Sequence, residues 1–442
     1  MKTSLTIKLL DTAKSTNING WLKKYEKFKS LRRDQVANYQ LSRLKKLLLY
    51  VNTYNPYYSN LFNQVKVDVE TINSINDLKQ LPTLNRDIIR DNFKDLLSIN
   101  YSKNRLSMGS SSGTTGIPLN YFFDKHALSA GVAAGYALWG MSGWELGQRN
   151  IHIWGNQASI ERWKSPSSKA KNFLISQKNI AATLLNNPNN FSSIATSVIK
   201  FRPISIEGYS SSIYELAKYF KENNLNVPSL KMVLTTAENL EEYQKDLIEE
   251  VFAPTGDLYG SGEVLGIATR PINDDKYYIL DPHVIVETID SGNPGMKEIL
   301  LTDLDNYAMP LIRYRIGDMI DELHEPEPNA KYPFTWFTKL HGRSSDIITL
   351  PNGKKFHPVN IFGGTLFRKF KGITRHKTIW DGQKLEFVFE AKGFIEKDSL
   401  HDALKQLLEP YQCHFIMTFT EKIEPSLSGK YKYMEIVKTK TN

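Results

Sequence analysis

The run Ser110-Ser111-Ser112-Gly113-Thr114-Thr115-Gly116-Ile117-Pro118 opens with seven consecutive hydroxyl or glycine residues, a composition that makes poor core and a good anion cradle. Glycine lets backbone N–H groups turn toward a ligand in conformations other residues resist, and neighbouring hydroxyls donate to phosphate oxygens. The stretch reads as a phosphate-binding loop. It is not a Walker A loop, because no Gly-Lys-Ser/Thr follows at the required spacing and Leu119 succeeds the proline. Alone, a Ser/Gly/Thr run is equally a flexible connector, so the reading depends on what else the chain carries.

Five further segments have related chemistry. Tyr259-Gly260-Ser261-Gly262-Glu263 follows an apolar run: the glycines allow a tight turn, the ring can stack on a purine, and the carboxylate can take a hard cation such as Mg²⁺. In Pro310-Leu311-Ile312-Arg313-Tyr314-Arg315-Ile316-Gly317-Asp318 an acid lies just beyond a glycine, where it can accept both hydroxyls of a ribose. Arg313 and Arg315 are expected on one face of a strand there, where a structural ion pair explains them equally well. Thr235-Thr236-Ala237-Glu238-Asn239 ends a strand with small residues that can present backbone groups to an adenine edge. Gly342-Arg343-Ser344-Ser345-Asp346 offers a guanidinium for ribose or phosphate and an acid that can act as a hinge. Lys430 follows a glycine in the basic C-terminal tail, where a lone lysine is usually just solvated. Tyr136, Trp139, Trp144 and Trp154, with Gly208-Tyr209-Ser210-Ser211, are candidates for an acid-binding pocket, although aromatics at such spacing also make ordinary core.

These residues need elements to hold them. Residues 1–100 read as a helical lead-in, broken at Asn55-Pro56 and at the turn from Leu81 to Asn85. From about 105 to 340, strands near Ile151 and Lys231 alternate with helices near Ser211 to Glu222 and Glu241 to Val251, which predicts an α/β body. Short strands over Glu298 to Thr302 and Leu311 to Tyr314 suggest a small β subdomain. Beyond that come strands at Thr374 to Trp380, Leu385 to Ala391 and His414 to Thr420, with a helix from Lys397 to Leu408 between the last two. The spacing therefore predicts a large N-terminal domain over 1–341 and a small α+β C-terminal domain over 342–442.

At 442 residues with 41% hydrophobic side chains, the chain can build a sizeable core, and no apolar run approaches the ~20 residues of a membrane span. The first residues lack a signal-peptide pattern, so a cytoplasmic location is expected. The single cysteine, Cys413, excludes a disulfide framework or a multi-cysteine metal site and reads as core. The net charge of +9 resides entirely in residues 1–50, with 12 Lys/Arg against 3 Asp/Glu. Leu41, Leu44, Leu47, Leu48 and Val51 recur there at helical spacing, which fits a helix packed on the domain better than peripheral contact with an anionic membrane. No motif points to nucleic acid.

In this order the segments resemble the adenylate-forming superfamily of acyl-CoA synthetases, nonribosomal adenylation domains and luciferases. Within it the chain looks most like the phenylacetate-CoA ligase branch, which includes the CapK-like proteins of capsular polysaccharide clusters. The likeness is carried by SSGTTGIP at 111–118, MPLIRYRIGD at 309–318 and LKKLLLYVNTYNPYYSNLF at 44–62, and it runs from about residue 35 to 435. It implies a large N-terminal domain and a small mobile C-terminal one, which form an acyl-adenylate from an acid and ATP and then pass the acyl group to a nucleophile. Coenzyme A, a thiol, is the implied acceptor; an amine on a surface-polysaccharide sugar is the alternative, and a noncatalytic nucleotide-binding protein is a third reading. By the same resemblance Thr114 and Thr115, with Ser110, Ser111, Ser112, Gly113 and Gly116, would hold the β and γ phosphates, and Glu263 would bind Mg²⁺. Ala237, Glu238, Tyr259 and Gly260 would serve the adenine, Asp318 the ribose, and Arg343 the ribose or α-phosphate. Lys430 would neutralise charge at the α-phosphate, and the C-terminal domain would rotate about Asp346. Acid-binding residues are the least transferable part of the resemblance, so Tyr136, Trp139, Trp154 and Tyr209 stand as candidates for lining the acid from their residue types alone. Leu119 departs from the lysine that many superfamily members carry, and monomer and homodimer both remain open.

Overall fold

The computed structural model describes residues 7–8, 11–12, 15–111, 119–155, 157–356, 370, 372–391, 393–424 and 433–437. The chain divides into two compact units, one of residues 1–148, 173–176 and 256–340, the other of 149–172, 177–255 and 341–442.

The first unit begins with the helices Ile18–Phe28, Arg33–Tyr54 and Pro56–Val65. Asn55 separates the last two: its side chain accepts from the Tyr58 N–H while Pro56 starts the new helix, and its amide donates to the Leu96 carbonyl at 2.8 Å. Leu44, Leu47, Leu48 and Val51 are fully buried, in one core with Ile299, Leu301 and Tyr314. Strand β1 (Ser107–Ser111) runs antiparallel to β2 (Leu119–Phe123), with Ser111 opposite Leu119. Helix Lys125–Gly140 follows, capped by Asp124.

The second unit is built on four parallel strands: β3 (Asn150–Ile153), β4 (Gln177–Ile180), β5 (Ser205–Tyr209) and β6 (Met232–Thr236). Their order is β6-β5-β3-β4. Parallel strands need crossovers, and helix Phe191–Phe201 lies in the one from β4 to β5 and helix Ser210–Glu222 in the one from β5 to its neighbour β6. One sheet face, with Ile151, Ile153, Ile206 and Val233, is packed against Val198, Ile213 and Phe220.

The chain then returns to the first unit. β7 (Thr255–Tyr259), β8 (Ala268–Arg270) and β9 (Tyr277–Ile279) are antiparallel, as are β10 (Val284–Asn293), β11 (Met296–Asp303) and β12 (Tyr314–Ile320). The strand expected over Leu311 to Tyr314 does not form. Arg313 has φ +52°, a left-handed conformation incompatible with a strand, and its guanidinium pairs with Glu287 while its N–H donates to the Thr302 hydroxyl. Arg315 pairs with Glu298, so both arginines make structural ion pairs, and not from one strand face.

Beyond residue 341 the second unit continues with strands Ile373–Trp380 and Leu385–Ala391, helix Lys397–Leu408 and strands Phe415–Thr420 and Met434–Ile436, the four strands forming one mixed sheet. Phe387, Phe389, Leu400, Leu404 and Leu408 make its core. Arg375 forms ion pairs with Glu390 and, on helix Ser210–Glu222, with Glu215. Cys413 is partly buried at the edge of this core, and burial pushes its thiol upward, away from the reactive thiolate.

Candidate functional site

Two of the motif segments meet inside the first unit. The turn after β7 carries Glu263, whose carboxylate is 2% exposed and accepts from the Arg86 guanidinium at 2.9 Å and the Tyr314 hydroxyl at 3.3 Å. Asp318, four residues along from Tyr314, accepts a 2.8 Å bond from the Tyr259 hydroxyl. A register break in β12, where Glu298 and Leu300 face Met319 and Arg315, re-aims this stretch, and Gly317 sits within it at φ +86°. The segments 259–263 and 314–318 are thus tied together by two hydrogen bonds. Tyr259 is buried with its ring edge-on to Phe337.

Arg86 was not legible in the sequence. It opens the short helix Arg86–Asp91 behind the Asn85 cap, and a single arginine in a helical lead-in carries no spacing signal. Its Nη2 neutralises Glu263, and its Nη1 is buried with no hydrogen-bond partner among the described residues. Tyr121 of β2 completes the cluster: a Cβ at Gly262 would lie 2.4 Å from its hydroxyl, so a larger residue there would displace the ring from its present position. Burial, reinforced by the Glu263 charge, pushes the Tyr121 phenol up to about 12. Glu263 uses one oxygen for Arg86 and Tyr314, and a second oxygen remains. That donor fits Mg²⁺, which takes one or two carboxylates and completes its shell with phosphate and water.

Ser110 and Ser111 end β1, and the Ser111 hydroxyl is buried with no hydrogen-bond partner among the described residues. Ser112, Gly113, Thr114, Thr115 and Gly116 lie outside the described residues, as does Lys430. Arg343 ends the strand Leu340–Arg343, and Asp346 closes the single turn that follows; both are partly buried.

In the second unit the segment after β6 turns sharply, with Ala237 at φ +67°. Glu238 accepts from the Ser211 N–H at 3.0 Å, and its carbonyl accepts from the Ser210 hydroxyl, so the carboxylate sits at the N-terminus of helix Ser210–Glu222. Trp154 and Tyr209, at the carboxyl ends of β3 and β5, have ring centroids 4.4 Å apart. Burial pushes the Tyr209 phenol up to about 12. Tyr136, Trp139 and Trp144 form a separate cluster in the first unit, with Trp144 5.3 Å from each of the other two rings. The candidate pocket aromatics therefore fall into two groups, one in each unit.

His283, Asp303 and Asp305 are the residues among those described whose ligand atoms come close enough for a metal ion, within 4.8 Å. Their atoms already have partners. His283 Nδ1 faces Asp305 at 2.6 Å and Nε2 donates to the Leu265 carbonyl at 2.8 Å; Asp305 also receives Arg43 at 2.6 Å and the Tyr25 hydroxyl at 3.1 Å. Burial opposes a charged imidazole, but the Asp305 hydrogen bond and charge outweigh it and raise His283. Burial likewise disfavours ionised Asp305, yet His283 and Arg43 hold it low, while burial pushes Asp303 up to about 6. The charges balance internally, and the group braces the turn at Leu265 that follows Glu263.

No protein-family model matches the chain. Protein CapK of Staphylococcus aureus is 24% identical over 329 residues, covering 73% of this chain and 72% of CapK. A phenylacetate-coenzyme A ligase of Thermus thermophilus is 24% identical over 314 residues, covering 66% of each protein. Among solved structures, 2-hydroxyisobutyryl-CoA ligase in the postadenylation state with R3-HIB-AMP matches 93% of this chain and 91% of its own at TM-score 0.70 and 14% identity, a likeness of fold. No helix among the described residues is long and apolar enough to cross a membrane. The sequence relatives, the shared fold and the joined motifs at 259–263 and 314–318 together support a likeness to the adenylate-forming superfamily and, within it, to the phenylacetate-CoA ligase-like proteins and CapK.

Proposed function

We propose that this protein is an AMP-forming acid ligase. A carboxylate attacks the α-phosphorus of ATP, expelling pyrophosphate and leaving an acyl-adenylate, and a thiol such as coenzyme A then displaces AMP. The observation that carries the reading is the linkage of Tyr259 to Asp318 and of Glu263 to Tyr314, which joins two distant segments whose acids this reading assigns to nucleotide and metal. Support also comes from relatives named phenylacetate-coenzyme A ligase.

In this reading Glu263 holds Mg²⁺ with the oxygen not engaged by Arg86, and the ion's role is to offset phosphate charge. Arg86, at the same carboxylate, offers Nη1 toward phosphate. Asp318 accepts ribose hydroxyls, with Tyr259 fixing the carboxylate. Ala237 and Glu238 serve the adenine, Arg343 the ribose or α-phosphate, and the Ser110 to Gly116 loop with Thr114 and Thr115 the β and γ phosphates. Trp154 and Tyr209 are the better acid-pocket pair, because both stand at the carboxyl ends of parallel strands, where α/β sheets bind ligands. Lys430 supplies a cation for the first step, and the domain over 342–442 turns about Asp346 to remove it before the second.

The test is pyrophosphate release with ATP, Mg²⁺ and a panel of aryl, short-chain and amino acids, with hydroxylamine to capture the adenylate. Release with one acid class, lost in Glu263→Gln, is the expected result. ATP binding without acid-dependent release would overturn the assignment in favour of a noncatalytic nucleotide-binding protein.

A further inference from the structure

The second unit contains a paired histidine and glutamate that the reading above does not use. His152 on β3 and Glu207 on β5 are register partners of adjacent parallel strands, and His152 Nδ1 lies 2.6 Å from Glu207 Oε1. A carboxylate accepts and does not donate, so Nδ1 carries the hydrogen and Nε2 of the neutral ring is left with its lone pair. Among the described residues Nε2 makes no hydrogen bond. The Glu207 side chain is 4% exposed and that of His152 24%, so a buried carboxylate anchors an imidazole that still reaches accessible space. Glu207 Oε2 is buried with no hydrogen-bond partner among the described residues. Such an acceptor is costly in a core that serves only packing, and carboxylates held this way recur where a histidine must be kept in one tautomer.

Position supports a role in the reaction. Strand alternation sets His152 and Glu207 on the face opposite the core residues Ile151, Ile153 and Ile206. Two residues further toward the carboxyl ends, the same face carries Trp154 and Tyr209, and the His152 ring is stacked on Trp154 at 5.7 Å and 15°. The pair therefore lies just beneath the aromatic residues assigned to the acid. Adenylation consumes a carboxylate and releases pyrophosphate, and its nucleophile has no proton to give up. The transfer step does, because an attacking S–H or N–H must lose its hydrogen as AMP leaves.

Resting on the acid-ligase reading, we propose that His152 is the proton acceptor of the transfer step and that Glu207 is its positioning residue. The nucleophile's sulfur or nitrogen forms a bond to the acyl carbon, the bond from that carbon to the AMP phosphate oxygen breaks, AMP departs as an anion, and the nucleophile's proton passes to His152 Nε2 and then to solvent.

The test separates the two half-reactions in His152→Ala, Glu207→Gln and the parent protein. Acid-dependent pyrophosphate release with hydroxylamine trapping reports the first; transfer from preformed acyl-adenylate to coenzyme A, and to glucosamine, reports the second. His152→Ala is expected to keep the first within about threefold and to lose roughly 10²-fold in the kcat of transfer, the usual scale of a general base. Free imidazole should restore part of that loss, which a merely structural histidine would not allow. Glu207→Gln should lose transfer less severely, again in kcat and not in the acceptor's KM. Transfer at the parent rate in His152→Ala, or equal loss of both half-reactions, overturns the proposal, as does a parent protein that adenylates but acylates neither acceptor. A parent protein with no acid-dependent pyrophosphate release overturns the underlying acid-ligase reading itself.

Discussion

The Arg86 guanidinium is the cation paired with the buried Glu263 carboxylate, and it shows how much a site can depend on a residue without a motif. Glu263, Asp318 and Tyr259 were legible as candidates because glycines and an acid at the end of an apolar run have few structural reasons to coincide. Arg86 was not, since an arginine at the start of a six-residue helix looks like any solvated cation. Arg86→Ala should lower acid-dependent pyrophosphate release by about 10² or more, on the scale of losing a preorganised donor, with Arg86→Lys recovering only part. Release at the parent rate in Arg86→Ala would remove this residue from the mechanism. Asp303 supports a pH prediction. Its folded pKa is raised to about 6 from 3.8, so the native state holds a proton that the unfolded chain gives up. Stability therefore falls as pH rises through that window, by at most roughly 3 kcal/mol for a shift of about two units. Asp305 is lowered and works in the opposite sense at the acid end, while the contribution of raised His283 is present below its ordinary pKa and lost above it. Asp303→Asn keeps the acceptor for the Asp305 N–H and never ionises, so its stability relative to the parent should grow between pH 4 and 7 in urea titrations. A constant difference across that range would contradict the assignment.

At the scale of elements, the turn from Tyr259 to Gly266 depends on close backbone approach. Gly266 has φ +68°, and a Cβ there would fall 2.7 Å from both the Ala134 Cβ and the Gly135 nitrogen in helix Lys125–Gly140. Gly266→Ala meets a backbone conformation that alanine resists and a backbone atom that cannot step aside, so a destabilisation of about 2–4 kcal/mol is expected from thermal or urea unfolding. The turn also carries Leu265, whose carbonyl His283 holds, so adenylation should fall further than stability alone explains. Gly266→Ala that unfolds like the parent would mean the turn yields easily. The regular elements were the most legible part of the fold. Helices Ser210–Glu222 and Lys397–Leu408 have clear apolar stripes, and β6 is a continuous apolar run ended by small residues. β1 was invisible because Ser107-Met108-Gly109-Ser110-Ser111 has neither alternation nor β-branched residues, and its partner β2 supplies the apolar side of the pair. The strand expected at Leu311 failed for the opposite reason. Its apolar pattern is real, but Leu311 and Ile312 are buried in a bent connection, and the left-handed Arg313 could not be read from residue types.

Over the whole molecule, the basic N-terminal segment proves to be part of the first unit's architecture. Arg33 pairs with Asp281 and Glu325, and Arg43 with Asp305, so some of the local charge excess is answered by acids 240 or more residues away, while the apolar stripe from Leu44 to Val51 is spent on the core. Charge counted along a sequence is therefore a weak guide to a membrane or partner surface when folding brings the compensating acids from elsewhere. The same long-range logic applies to Lys430, which the resemblance to adenylate-forming proteins assigns to one half-reaction only. A cation beside the α-phosphate stabilises the charge that builds as the carboxylate attacks, and has no corresponding work once pyrophosphate has left. Lys430→Ala should then slow acid-dependent pyrophosphate release by roughly 10² to 10³ while leaving transfer from a synthetic acyl-adenylate to the acceptor unchanged. His152→Ala is expected to show the reverse pattern, so the two variants form a complementary pair on one protein. If Lys430→Ala lost both half-reactions equally, the lysine would be holding the acyl-adenylate throughout, and a C-terminal domain that withdraws it between the steps would no longer be needed.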